Sequence, residues 1–226
     1  MEINPLAILQ ARMGSKRLEG KMLLPLNGKP LIFWAWRRSV EAFGPDNVVV
    51  AIPDTPENAP LAAYCERIGA NFTLWDGPED DVLARFYWVA NSMRWHHDSV
   101  IVRVTPDDPF KVPDLMRRVA AGERHPVELS CEAFTLGYLN MAHEHVTDPA
   151  DREHLTNILG VVPPPKAPPG IWSIDTMEDL EAARELKEWP NPKSKGPPYG
   201  AGTGDISDPQ MGELVPFAGH GGPPMP

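Results

Sequence analysis

The stretch that decides the fold is residues 6–21, which read Leu-Ala-Ile-Leu-Gln-Ala-Arg-Met-Gly-Ser-Lys-Arg-Leu-Glu-Gly-Lys. Its first part, Leu6–Gln10, is a short apolar run typical of a buried strand. The loop that follows, residues 11–21, contains four cations and one acid. Apolar residues with helical spacing begin at Pro30. A strand that leads through a loop into a helix is the opening unit of an α/β fold with a parallel sheet.

The rest of the body continues this alternation of apolar runs and helical patterns. Further strands are predicted at 48–52, 72–74, 100–104, 127–129 and 171–174. Helices are predicted at 30–42, 57–68, 79–94, 135–144 and 176–186. Thr176 and Asp179 have the spacing of a capping box at the start of the last helix. The order predicts an α/β domain with a mainly parallel sheet and right-handed crossovers.

Proline and glycine divide the chain into a body and a tail. Residues 190–226 hold nine prolines and eight glycines in 37 positions, with few aliphatic side chains to bury. Such a segment cannot offset its ordering entropy by apolar burial. We therefore predict an α/β domain over residues 1–189 and an irregular C-terminal tail over 190–226. A second proline cluster, 163–169, is expected to be an extended connector.

Composition excludes several classes of protein. The net charge of −10 argues against a nucleic-acid binder that neutralises many phosphates. Apolar runs stay well short of the roughly 20 residues of a membrane span, and the N-terminus lacks the features of a signal peptide. Two cysteines are too few for a disulfide scaffold. We expect a cytoplasmic protein with two reduced cysteines.

The basic loop is the first candidate site, because its charge contrasts with that of the whole chain. Arginine and lysine side chains beside flexible glycines suit an anion, with polyphosphate as the obvious candidate; a solvated basic loop is the alternative. The loop is not a Walker P-loop, since five residues rather than four separate Gly14 from Gly20-Lys21, and Met22 follows.

Acidic residues follow two other predicted strands. Asp107 and Asp108 lie in the loop that follows 100–104, and Asp175 follows 171–174. Ligands of parallel α/β sheets bind beyond the carboxyl ends of the strands, and carboxylates there suit Mg²⁺ held together with substrate phosphates. A turn at Asp107 and a helix entry at Asp175 are the structural alternatives. The histidines, His154 and the pairs 96–97 and 143/145, are expected to be structural or solvated, because their spacing matches no zinc site.

Five segments in order resemble the cytidylyltransferase family, which includes CMP-sugar-acid synthetases and, closer, spore-coat polysaccharide biosynthesis proteins. They are Ala11 through Leu31, Gly77 through Phe86, Arg103 through Phe110, Asp151 through Thr156, and Ile174 through Leu180. The resemblance covers most of residues 3–188. It implies a nucleotide-diphospho-sugar transferase sandwich of the GT-A-like type, and an enzyme that transfers CMP from CTP to a sugar or sugar acid with release of pyrophosphate.

The resemblance also implies roles for individual residues. Arg12, Ser15, Arg17 and Lys21, with Gly14 in the same loop, are expected to bind the triphosphate, and Asp107 and Asp175 to hold Mg²⁺. Lys21, Arg12 and Asp107 are the candidate catalytic residues. Asp81 and Arg85 lie in a segment expected on the cytidine side. Related proteins often dimerise, so a homodimer is an open alternative here.

Three departures from the family pattern support a second hypothesis. Glu19 replaces the usual proline, the stretch between Asp108 and residue 127 is short, and 159–171 is short and proline-filled. The acceptor end is therefore less well retained than the nucleotide end. The alternative function is a catalytically degenerate family member that serves as an assembly component of a large complex or virus particle, with 190–226 anchored on a protein partner.

Overall fold

The computed structural model describes residues 5–92, 99–155 and 164–186, and these form an α/β structure around a five-stranded sheet. The strands of the sheet are β1 (Leu6–Gln10), β4 (Val48–Pro53), β5 (Phe72–Trp75), β6 (Val100–Val104) and β7 (Glu132–Thr135). A small hairpin pairs β2 (Pro25–Leu26) with β3 (Lys29–Pro30). The helices are α1 (Leu31–Phe43), α2 (Ala59–Arg67), α3 (Val82–Ser92), α4 (Pro113–Ala120), α5 (Leu136–His145), α6 (Pro149–Glu153) and α7 (Met177–Arg184).

The sheet order β5-β4-β1-β6-β7 places the first strand at the centre. β1 pairs in parallel with β4 on one side and with β6 on the other, while β7 pairs antiparallel to β6. The predicted mainly parallel α/β sheet is thus confirmed. Because β1 and β6 are parallel neighbours, the loops after Gln10 and Val104 leave the same edge of the sheet side by side.

Alternate residues of the central strands feed two apolar cores, one on each face of the sheet. Ala7 and Leu9 pack into the core that includes α1, α2, α4 and α7, whereas Leu6 and Ile8 pack into the core that includes α3 and α5. A strand covered on both faces is apolar throughout, which explains the continuous run at the start of the sequence.

Two predicted strands are corrected by the structure. Residues 127–129 form a turn of 3₁₀ helix, and the edge strand begins later, at Glu132. Residues 171–174 have no regular structure and stay outside the sheet. The third predicted helix begins at Val82 rather than at residue 79, because the Asp81 carboxylate accepts the Ala84 N–H at its start. The predicted capping box of Thr176 and Asp179 is confirmed.

The stretch between Asp108 and residue 127 is occupied by α4, which the sequence analysis did not predict. Its apolar side chains Leu115, Met116 and Val119 are buried, and the helix contacts α1. Three predicted features lie outside the described residues: the helix end at 93–94, His96-His97, and the tail 190–226. Within the described part of the chain, no helix has both the length and the apolar character needed to cross a bilayer.

We expect Phe86→Ala to lower the free energy of unfolding by about 3–5 kcal/mol, because truncating a buried aromatic leaves a cavity. Phe86 is fully buried on α3 and its ring lies beside that of Phe134. Met141→Ala, on the exposed side of α5, serves as the control and should change the free energy of unfolding by no more than about 0.5 kcal/mol. Urea denaturation measures both, and equal effects would contradict the assignment of this core.

Candidate functional site

An open cleft of about 370 Å³ lies at the carboxyl ends of β1 and β6. The loop after β1, the loop after β6, the first turns of α3 and the end of α6 contribute its walls. The charged side chains that line it are Arg12, Lys16, Arg17, Lys21, Arg85, Arg103, Asp107 and Glu153. Six cations against two carboxylates make this cleft basic in a chain of net charge −10. An anionic ligand is therefore the kind of molecule it suits.

The basic loop is folded back on itself by backbone hydrogen bonds. Ser15 N–H and Gly20 N–H both donate to the Met13 carbonyl, at 2.9 and 3.1 Å. Gly20 has a φ of 65°, a left-handed conformation that glycine adopts without strain. Met13 N–H in turn donates to Oδ1 of the buried Asn58 at 2.7 Å. These bonds hold the loop so that Gly14, Ser15 and the cations around them border the cleft.

Lys21 is the centre of the site. Its side chain is largely buried, and its Nζ donates to Asp107 Oδ2 at 2.9 Å, to Asp175 Oδ1 at 3.1 Å and to the Ile174 carbonyl at 3.3 Å. Arg17 Nη2 lies 2.9 Å from the same Asp175 oxygen. The structure thus brings together Lys21, Arg17, Asp107 and Asp175, four residues predicted for the site from three separate segments of the sequence.

The two carboxylates fit a divalent cation. Asp107 and Asp175 each present an oxygen to the same ammonium group, so both carboxylates converge on one cation-sized point. In the described ranges, no group of three or more His, Cys, Asp or Glu side chains is placed to hold a metal. Magnesium is commonly bound by one or two carboxylates and completed by water and substrate phosphates. Asp107 and Asp175 would supply two carboxylates, and the remaining ligands would come from water and substrate.

Arg12 lies at the rim of the cleft among carboxylates. Its Nη1 is 2.8 Å from Asp80 Oδ1 and 3.5 Å from Glu79 Oε1, and its Nη2 is 3.5 Å from Glu153 Oε1. Because the group is partly exposed, these ion pairs are weak and can give way to a stronger anion. Glu19, whose charge departs from the family pattern, is exposed and does not line the cleft.

Arg85 is buried and incompletely hydrogen-bonded. It is only 2% exposed, and its Nη2 donates to the Glu79 carbonyl at 3.1 Å. Among the described residues, its Nε and Nη1 have no hydrogen-bond partner. Burial, together with the nearby Arg12 charge, lowers the pKa of Arg85 to about 10. A buried cation with unused hydrogen-bond donors lowers the stability of the fold. Because it lies beside a cleft, we expect its free N–H groups to donate to a ligand.

Asp81 has a structural contact instead. Its carboxylate accepts from Arg152 Nε and Nη2 at 3.0 and 2.9 Å and also caps α3. Asp81 does not line the cleft, so its contribution to the site is to fix the start of the helix that carries Arg85. A direct part in cytidine binding stays a prediction.

Arg103 and Gln10 also line the cleft, although they are not among the site residues predicted from the sequence. Arg103 Nε donates to Gln10 Oε1 at 2.9 Å, and its Nη1 pairs with the buried Glu132 of β7. One feature of the sequence indicates Arg103: it is an arginine inside the otherwise apolar strand Val-Ile-Val-Arg-Val, and a charged side chain is rarely buried unless it is paired.

The histidines have different surroundings. His154 lines the cleft, next to Glu153. His143 stacks on Tyr87 with ring centroids 4.0 Å apart, and burial lowers the pKa of His143, with the neighbouring Arg152 charge adding to the effect. His143 thus has a packing role on α5, as expected from the sequence.

Comparison with known proteins finds a matching family and several relatives of the chain. The sequence profile of the family described as cytidylyltransferase matches residues 6–126. An uncharacterized protein of Methanocaldococcus jannaschii is 30% identical over 206 residues, covering 81% of this chain and 83% of that protein. The 3-deoxy-manno-octulosonate cytidylyltransferase 1 of Hydrogenovibrio crunogenus is 34% identical over 122 residues, covering 54% of this chain and 45% of the relative. The spore coat polysaccharide biosynthesis protein SpsF of Bacillus subtilis is 40% identical over 115 residues, covering 49% of this chain and 46% of the relative. The match therefore spans about half the length of these two relatives.

Solved structures share the fold. A cytidylyltransferase from Leptospira borgpetersenii superposes with a TM-score of 0.68 at 22% identity, covering 81% of this chain and 86% of that one. The CMP:2-keto-3-deoxy-manno-octonic acid synthetase in complex with CTP superposes with a TM-score of 0.58 at 17% identity, covering 80% and 97%. At these identities the likeness concerns the fold alone, and it confirms the predicted sandwich of the nucleotide-sugar transferase type.

We expect Arg85→Met to leave the free energy of unfolding unchanged or raise it by up to about 2 kcal/mol, because the variant removes a buried charge with unused donors. The same variant should weaken binding of an anionic ligand in the cleft at least about tenfold, since a hydrogen bond to a charged group is worth about 1.5–3 kcal/mol. Denaturant titration and calorimetry with CTP measure the two effects. Arg38→Met, in a surface ion pair with Glu41, is the matched control and should alter neither. A large loss of stability in Arg85→Met would show that the guanidinium serves the fold instead.

Proposed function

The chain belongs to the cytidylyltransferase family, and we propose that it transfers CMP from CTP to a sugar or sugar acid, with Mg²⁺ as cofactor and pyrophosphate as the second product. The observation that carries this proposal is the basic cleft at the strand ends, in which Lys21 is held between two carboxylates. The relatives named for 3-deoxy-manno-octulosonate and for spore-coat polysaccharide support a sugar-type acceptor.

The loop after β1 is proposed to bind the triphosphate. Arg12, Arg17 and Lys21 supply positive charge from one loop, whose shape is set by the backbone hydrogen bonds at Met13 and Gly20. Each of these cations is paired with a carboxylate in the structure, so a bound phosphate would take the place of that carboxylate as its partner. Ser15 accepts the Leu18 N–H and holds the turn between them.

Lys21 is proposed to move between two sets of anions. When the ammonium transfers to a phosphate oxygen, the carboxylates of Asp107 and Asp175 become available for Mg²⁺. The metal, when bound, would neutralise phosphate charge and lower the pKa of the acceptor hydroxyl. Arg85 would donate its unused N–H groups to the nucleotide side of the cleft.

The reaction needs positioning and charge stabilisation more than a protein nucleophile. An acceptor hydroxyl oxygen attacks the α-phosphorus of CTP and releases its proton to water, and the bond to the bridging oxygen breaks with pyrophosphate as the leaving group. The cations of the cleft hold the phosphates in line and stabilise the charge that develops on the leaving group. The buried Cys65 and Cys131 are not needed, and burial raises the pKa of each thiol to about 12.

Calorimetry on the full chain tests the nucleotide site. We expect CTP to bind more tightly with Mg²⁺ than without it, and more tightly than UTP, ATP or GTP under the same conditions. Equal affinities for the four nucleotides would contradict the cytidine specificity. Absence of binding to any of them would contradict the proposal and favour the assembly role described above.

We expect Asp107→Asn to weaken CTP-dependent Mn²⁺ binding, and to lower pyrophosphate release, at least about tenfold, because the variant removes one of two charged ligands. The readouts are Mn²⁺ paramagnetic resonance and a pyrophosphate assay with CTP and 3-deoxy-manno-octulosonate as a trial acceptor. Asp114→Asn, a half-exposed carboxylate in the first turn of α4, is the matched control and should behave as wild type. Unchanged Mn²⁺ binding in Asp107→Asn would remove Asp107 from the metal site.

A further inference from the structure

Asp108 is a buried carboxylate next to the proposed metal ligand Asp107, and it has no part in the function proposed above. It is 4% exposed, and both of its oxygens are used. Its Oδ1 accepts from Ser173 Oγ, while its Oδ2 accepts from Thr105 Oγ1 and, at 3.0 Å, from Lys111 Nζ. Hydrogen bonds from three directions fix the orientation of this carboxylate.

Lys111 anchors the group to the body of the protein. Its side chain is buried, and its Nζ also donates to the Val127 carbonyl at 2.9 Å and to Thr105 Oγ1 at 3.2 Å. The Asp108 charge is therefore paired inside the fold and not directed into the cleft. The ion pair connects the end of β6 with the 3₁₀ turn at 127–129.

Ser173 connects the same carboxylate to the segment that carries Asp175. That segment lies outside the sheet, so no strand ladder sets its distance from β6. Two hydrogen bonds do so instead: Ser173 Oγ to Asp108, and Ile174 N–H to the Asp107 carbonyl at 2.9 Å. Both bonds flank the two carboxylates that converge on Lys21.

We propose that Asp108 is a positioning residue, which through Ser173 sets the separation of the Asp107 and Asp175 carboxylates that hold the metal. The inference rests on the proposed function, since it concerns the same metal site. Groups behind the ligands of a metal commonly change its affinity by 10–100-fold without contacting it. A role limited to stability would leave the metal affinity unchanged.

Ser173→Ala tests the connection directly, because it removes one hydroxyl and leaves the Asp108–Lys111 pair in place. We expect Mn²⁺ to bind about tenfold more weakly in the presence of CTP, while CTP affinity without metal stays within about twofold of wild type. Ser173→Thr keeps a hydroxyl and should restore Mn²⁺ affinity. Asp108→Asn, which disturbs all three hydrogen bonds, should weaken Mn²⁺ binding at least as much.

Ser39→Ala is the control for the loss of a buried hydroxyl. Ser39 is buried on α1, away from the cleft, and its hydroxyl donates to the Ala35 carbonyl at 2.8 Å. This variant should leave Mn²⁺ affinity unchanged. If wild type binds Mn²⁺ with CTP, but Ser173→Ala binds it equally well or Ser173→Thr is as weak as Ser173→Ala, the positioning role is overturned and the proposed function stands. If wild type shows no CTP-dependent Mn²⁺ binding, both are overturned.

Discussion

The ammonium of Lys21, held between the carboxylates of Asp107 and Asp175, is the interaction on which the rest of the site depends. These carboxylates lie 86 and 154 positions further along the chain, and they come from a strand end and from a segment outside the sheet. Without a shared cation, two partly buried carboxylates so close together would repel each other. The central position of β1 beside β6 makes the arrangement possible, since their carboxyl ends adjoin. The fold thus delivers a basic loop and an acidic pair to one edge of the sheet.

Charge around the cleft is arranged in two layers. At the surface, Arg12 and Arg17 form pairs that solvent weakens and that an incoming anion can replace. Below them, the pairs Arg103–Glu132 and Lys111–Asp108 are buried, and breaking such a pair leaves an uncompensated charge. The buried layer therefore holds the framework, whereas the ion pairs of the surface layer can be replaced. Arg85 belongs to neither layer, because two of its nitrogens have no hydrogen-bond partner in the described part of the chain. A buried charge of this kind lowers the stability of the fold, and the binding of a ligand best explains why it is kept.

Much of this arrangement could be predicted from the sequence, and the exceptions have physical causes. The parallel strands are apolar throughout because they are covered on both faces, so 48–52 and 100–104 were found within one residue of their limits. The edge strand at Glu132 was missed because a strand with one covered face and a buried ion pair has no long apolar run. Residues 171–174 have the composition of a strand, but their hydrogen bonds go to the loop after β6. Asp107 and Asp175 were recognisable from their positions after apolar runs, whereas the roles of Asn58 and Asp108 depend on long-range hydrogen bonds that no local pattern reveals.

The most direct test of the account is a crystal structure of the full chain with CTP and Mn²⁺, with the metal located by its anomalous scattering. We expect the manganese to be bound by Asp107 and Asp175, and the Lys21 ammonium to have left these carboxylates for a phosphate oxygen. A complex in which the phosphates lie away from the loop after β1, or in which Lys21 still bridges the two carboxylates and the metal lies elsewhere, would contradict it.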